Sequence, residues 1–93
     1  MKRYVKSSVR DKEDIIFEIM ENYLDSIIES GDFKRWTNGM DDEEAFESIL
    51  DYLGDRVDEE LKDKYDRHIR YGYIRSLIRH YLSEEWKYIK VRR

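Results

Sequence analysis

The chain has 93 residues, of which 43% are charged and 40% hydrophobic, with a net charge of -4 and an isoelectric point near 5.2. That length predicts a single domain over residues 1–93 with a thin core, burying about 60–70% of the surface that the unfolded chain exposes, and the apolar share is too high for wholesale disorder. The absence of cysteine excludes a disulfide framework or a thiolate metal site, and no apolar run approaches the ~18 residues that span a bilayer, so a cytoplasmic protein with no membrane partner is expected.

Residues 3–9, Arg-Tyr-Val-Lys-Ser-Ser-Val, read as a short strand rich in β-branched and aromatic residues. From Asp11 to Ser30 the apolar positions Ile16, Ile19, Met20, Tyr23, Leu24, Ile27 and Ile28 recur three or four apart, which predicts an amphipathic helix ending at Gly31. Asp32 to Met40 forms a connection that holds Phe33 and Trp36 and turns at Asn38-Gly39. Asp41 and Glu44 then have the spacing of a capping box ahead of a second helix, whose core face is Phe46, Ile49, Leu50 and Leu53.

Gly54-Asp55 reads as a helix stop followed by a fresh N-cap, yet Leu53, Val57 and Leu61 keep helical spacing through it, so one helix or two over 41–82 are both compatible with the pattern. Residues 55–82 read as a third helix, with Val57, Leu61, Tyr65, Ile69, Tyr73, Leu77 and Tyr81 at intervals of four. After it, residues 86–92 alternate in polarity like a strand. The expected fold is α+β and mainly helical: three helices packed on a small two-stranded sheet made by the N- and C-terminal strands.

Charge is sorted along the chain. Residues 11–32 hold eight acids against Lys12 alone, and residues 41–66 hold twelve against Arg56, Lys62 and Lys64, whereas residues 67–93 are strongly basic. A chain of this kind presents opposite fields on different faces and steers toward charged partners.

Catalytic raw material is scarce. His68 and His80 lie twelve residues apart, which turns them about 120° from each other on a helix. No zinc-protease pattern, phosphate-binding glycine loop or nucleophile elbow occurs, so no catalytic residue and no cofactor is assigned. Asp41-Asp42-Glu43-Glu44 offers hard oxygen ligands, but its place at a helix start suits capping rather than a calcium loop, and no metal site is assigned.

The acidic stripes are the sharper signal. Asp14, Glu18, Glu21, Asp25 and Glu29 fall in line at helical spacing, and Glu44, Glu47 and Asp51 repeat the rule on the second helix. An amphipathic helix exposes a polar face in any case, so a merely solvated surface explains part of this. What goes beyond that explanation is purity of sign, because like charges at this spacing destabilise a helix by ~0.2–0.5 kcal/mol per pair. In the basic segment, Arg75, Arg79, Lys87 and Lys90 stand among tyrosines and Trp86, the residue types that hold phosphate and stack on bases; the same cations could instead pair with the acidic helices of their own fold.

The basic segment Arg3-Tyr4-Val5-Lys6-Ser7-Ser8-Val9 followed directly by an acidic helix, in a chain of 93 residues, resembles in layout the small acidic accessory proteins of phages and mobile elements, among them anti-CRISPR and anti-restriction inhibitors. The resemblance implies a protein that occupies a nucleic-acid channel. Together with the stripes, it leads to the expectation of a non-enzymatic inhibitor or adaptor. Asp14, Glu18, Glu21, Asp25, Glu29, Glu44, Glu47 and Asp51 would face a basic, nucleic-acid-binding surface of a host defence protein such as a CRISPR effector, as a partial DNA mimic. The alternative is a small DNA- or RNA-binding regulator that uses Arg75, Arg79, Lys87 and Lys90.

Overall fold

A computed structural model describes residues 12–93, and every regular element among them is helical. Helix α1 spans Lys12–Ser30, α2 Asp32–Trp36, α3 Asp42–Lys64 and α4 Tyr71–Ile89, with a 3-10 turn over Lys90–Arg92. The α+β expectation is therefore corrected to an all-helical fold among the described residues; the strand predicted for residues 3–9 lies outside them.

The predicted C-terminal strand is helix α4 as far as Ile89. Ile74, Ile78, Leu82 and Ile89 are buried at spacings of four, four and seven, which is one stripe of a helix, and Trp86 sits one turn before Ile89. Its indole packs edge-on against Phe33 at 6.3 Å and Phe46 at 5.3 Å between ring centroids. The polarity alternation of residues 86–92 spans too few residues to outweigh that longer stripe.

α3 runs unbroken through Gly54, and the chain breaks instead at residues 65–70. Gly54 is buried, and a Cβ there would stand 3.0 Å from the Tyr71 hydroxyl oxygen, so this glycine serves close approach of α4 rather than helix termination. The real stop is at Asp66, in the left-handed region with φ of 52°, where the Arg67 amide reaches back to the Leu61 carbonyl at 2.9 Å. Asp is among the few residue types that take this conformation at modest cost. The line from Val57 to Tyr81 at intervals of four drifts about 40° per step around a 3.6-residue helix, so its seven residues cannot share one face.

The end of the first helix and the start of the second agree with the sequence, whereas the connection over residues 32–40 contains a helix the sequence did not predict. Gly31, at φ of 87°, ends α1. The Asp41 carboxylate accepts the Glu44 amide at 2.8 Å, and the Glu44 carboxylate accepts the Asp41 amide at 3.2 Å, completing the capping box of α3. The connection after Gly31 holds the short helix α2, which inserts Phe33 into the core.

One hydrophobic cluster joins Ile16, Ile19 and Met20 of α1 with Ile49, Leu50, Leu53, Val57 and Leu61 of α3, Ile74, Ile78 and Leu82 of α4, and Phe33. Each fully buried aliphatic side chain contributes about 1.5–3 kcal/mol, so truncating one central residue, such as Leu53 to Ala, costs about 2–5 kcal/mol. No helix among the described residues is long and apolar enough to cross a membrane.

Candidate functional site

α3 and α4 pack side by side, and this pairing decides where the charges go. Glu47 accepts from Arg79 at 3.0 and 3.3 Å and from Arg75 at 3.3 Å, and Arg75 also pairs with Asp51. The hydrogen bond to Asp51 is the main reason that the Arg75 guanidinium is held above its ordinary value. Asp55, next along the same face, accepts the Tyr71 hydroxyl at 2.9 Å, while burial and that hydrogen bond raise the tyrosine's pKa.

On this seam Glu47 and Asp51, expected to meet a partner, and Arg75 and Arg79, expected to meet nucleic acid, thus meet each other. Glu44 is committed to its capping box, and Glu47 and Asp51 to Arg75 and Arg79. Lys90 lies 3.4 Å from Asp42, and Lys87 sits 5.1 Å from the centroid of the Tyr88 ring. Sequence reading places Glu44, Glu47, Asp51, Arg75 and Arg79 on helices but Lys87 and Lys90 on a strand, and it cannot tell which helix faces adjoin, because that depends on the break at residues 65–70.

On α1 the outcome differs. Asp14, Glu18, Glu21, Asp25 and Glu29 are all exposed. Among the described residues, no lysine or arginine forms an ion pair with Asp14, Glu21, Asp25 or Glu29. Glu21 instead accepts the Tyr81 hydroxyl at 3.1 Å, and the Tyr81 ring packs on Phe17 at 5.9 Å.

Tyr81 reports the local field. Its pKa is pushed up to about 12, first by burial, then by the hydrogen bond to Glu21, and then by the negative charges of Glu21, Glu85 and Asp25. Glu85 adds to this negative field from α4, which spacing along the chain cannot reveal because Glu21 and Tyr81 are 60 residues apart.

The histidines have local neighbours. His68 lies 3.8 Å from Asp66, and His80 lies 3.4 Å from Glu84. Among the described residues no group of three or more metal-ligating side chains converges. No protein-family model, curated protein or solved structure matches the chain.

Proposed function

We propose that the chain is a non-enzymatic binding protein, an inhibitor or adaptor, that lays the outer face of α1 on a basic protein surface of the kind that otherwise holds nucleic acid. One observation carries this reading. Asp14, Asp25 and Glu29 line up without an ion pair among the described residues, whereas Glu47 and Asp51 of α3 are matched within the molecule. Glu21 and Glu85 add to the same negative field at Tyr81.

A single stripe sets one carboxylate about every 5.5 Å, against one charge per ~1.7 Å of duplex DNA axis, so any imitation of a phosphate backbone is coarse. Pairing of the α3 stripe with Arg75 and Arg79 removes the second row that would have narrowed this gap. The nucleic-acid regulator is less well supported, because Arg75, Arg79 and Lys90 carry internal ion pairs that a phosphate would have to displace.

Affinity capture from an extract of the source organism tests the proposal, using the wild-type chain and a variant with Asp14, Asp25 and Glu29 all changed to Lys. The wild type should retain a protein that excess duplex DNA elutes, and the variant, with its helicity intact, should not. Equal retention by both chains, or a captured protein indifferent to DNA, would remove this reading.

A further inference from the structure

We infer that a cleft between the start of α1 and the beginning of α4 binds a small phosphorylated ligand. The cleft has a volume of about 520 Å³, within the ~300–1,000 Å³ usual for small-molecule sites. Three elements supply its polar wall: Lys12 from α1, His68 and Arg70 from the connection, and Ser76 from α4. Among the described residues its lining contains no carboxylate, in a chain whose net charge is -4.

Of the eight arginines and lysines in residues 67–93, four are engaged, as Arg75, Arg79, Lys90 and Arg93 all hold carboxylates. Lys12 and Arg70 are different: among the described residues neither forms an ion pair, and both line the cleft. The Lys12 ammonium rests 4.9 Å from the centroid of the Tyr73 ring, a contact that narrows the positions open to a flexible chain. Two carboxylates among the described residues stand nearby. Glu13 takes the Tyr73 hydroxyl at 3.2 Å and is absent from the lining, and Asp66, 3.8 Å from His68, is almost wholly exposed and so screened by solvent.

The donor set determines the ligand class. An ammonium, a guanidinium fork and a serine hydroxyl can together satisfy several oxygens of one phosphate, and the planar fork of Arg70 matches two of them at once. A phosphate group alone is much smaller than this cleft. Ile69 and Tyr73 supply apolar and aromatic surface for the rest of a molecule the size of a nucleoside monophosphate.

Titration of the isotope-labelled protein, followed by amide chemical shifts, tests the assignment with inorganic phosphate, adenosine monophosphate and unphosphorylated adenosine as probes. Phosphate and the nucleotide should move the amides of Arg70, Gly72 and Tyr73, while adenosine leaves them in place. Tighter binding of the nucleotide would identify an organic phosphate as the ligand, and equal binding would identify free phosphate. Lys12→Gln and Arg70→Gln, both at exposed positions and retaining the native spectrum, should each weaken binding about tenfold, the loss of one charge-assisted hydrogen bond. No shift at millimolar phosphate or nucleotide, shifts centred elsewhere, or unchanged affinity in both variants would overturn the assignment.

Discussion

Glu47 accepts both terminal guanidinium nitrogens of Arg79, at 3.0 and 3.3 Å, across the seam between α3 and α4. The same carboxylate also receives Arg75, so one acid serves two cations. Half-exposed pairs of this kind contribute little each, about 0.2–1 kcal/mol, but reversing the shared charge sets a lysine beside two arginines. Glu47→Lys should therefore destabilise the fold by about 1–2 kcal/mol, whereas Asp25→Lys, at an α1 position with no ion pair among the described residues, should stay within ~0.5 kcal/mol of wild type. Thermal melts measure the difference, since 1 kcal/mol moves the midpoint of a domain of this size by about 4–8 °C. Equal shifts for the two variants would mean that the seam is no better paired than the outer face.

Gly54 sits under the Tyr71 hydroxyl, which a Cβ would meet at 3.0 Å. Alanine is favoured over glycine within a helix by about 1 kcal/mol, so crowding by Tyr71 opposes an intrinsic gain. Gly54→Ala should consequently stabilise the protein more in a Tyr71→Ala background than in the wild type. Denaturant unfolding of the four chains closes that cycle, and identical effects in both backgrounds would show that the two residues are not in contact.

Arg93 holds the connection between α2 and α3. Its guanidinium donates to the Thr37 carbonyl and the Asp42 carboxylate, both at 2.8 Å, to the Met40 carbonyl, and through Nε to the Thr37 hydroxyl at 3.1 Å. Thr37 is fully buried, and its own hydroxyl donates to the Phe33 carbonyl at 2.7 Å. Arg93→Ala should cost about 2 kcal/mol and speed amide exchange in residues 37–45, and Arg93→Lys should recover less than half, because an ammonium lacks the planar fork. Full rescue by lysine would reduce the contact to simple charge.

Tyr81 gives the fold an alkaline limit. Its hydroxyl titrates near 12 in the folded chain against 10 for an ordinary tyrosine, so the folded state keeps a proton that the unfolded state releases. This contribution is intact below pH 10 and is lost as the pH rises from 10 to about 12. Tyr81→Phe retains the ring on Phe17 and removes the titrating group, so its stability should fall less steeply across that window. Parallel stability curves for the two chains would place the loss at other residues.

How far the sequence could be read followed the range of the interactions involved. Gly31 and the Asp41–Glu44 capping box act within a few residues, and both were legible. Trp86 and Ile89 looked like strand residues because their partners, Phe33 and Phe46 for the indole, come from α2 and α3. Gly54 looked like a stop because the residue that requires it small, Tyr71, comes from the next helix. The acidic face of α1 was visible from spacing alone, but the charge that Glu85 adds to its field and the cleft at Lys12 and Arg70 needed the chain to fold back after Asp66.

The most direct test of the central claim, that the free negative surface lies on α1 and not on α3, is an amide-shift titration of the full chain with a short arginine-rich peptide. The account predicts perturbations centred on Asp14, Asp25, Glu29 and Tyr81, abolished by reversing the three acids to lysine. Perturbations centred on Glu47 and Asp51 would contradict it.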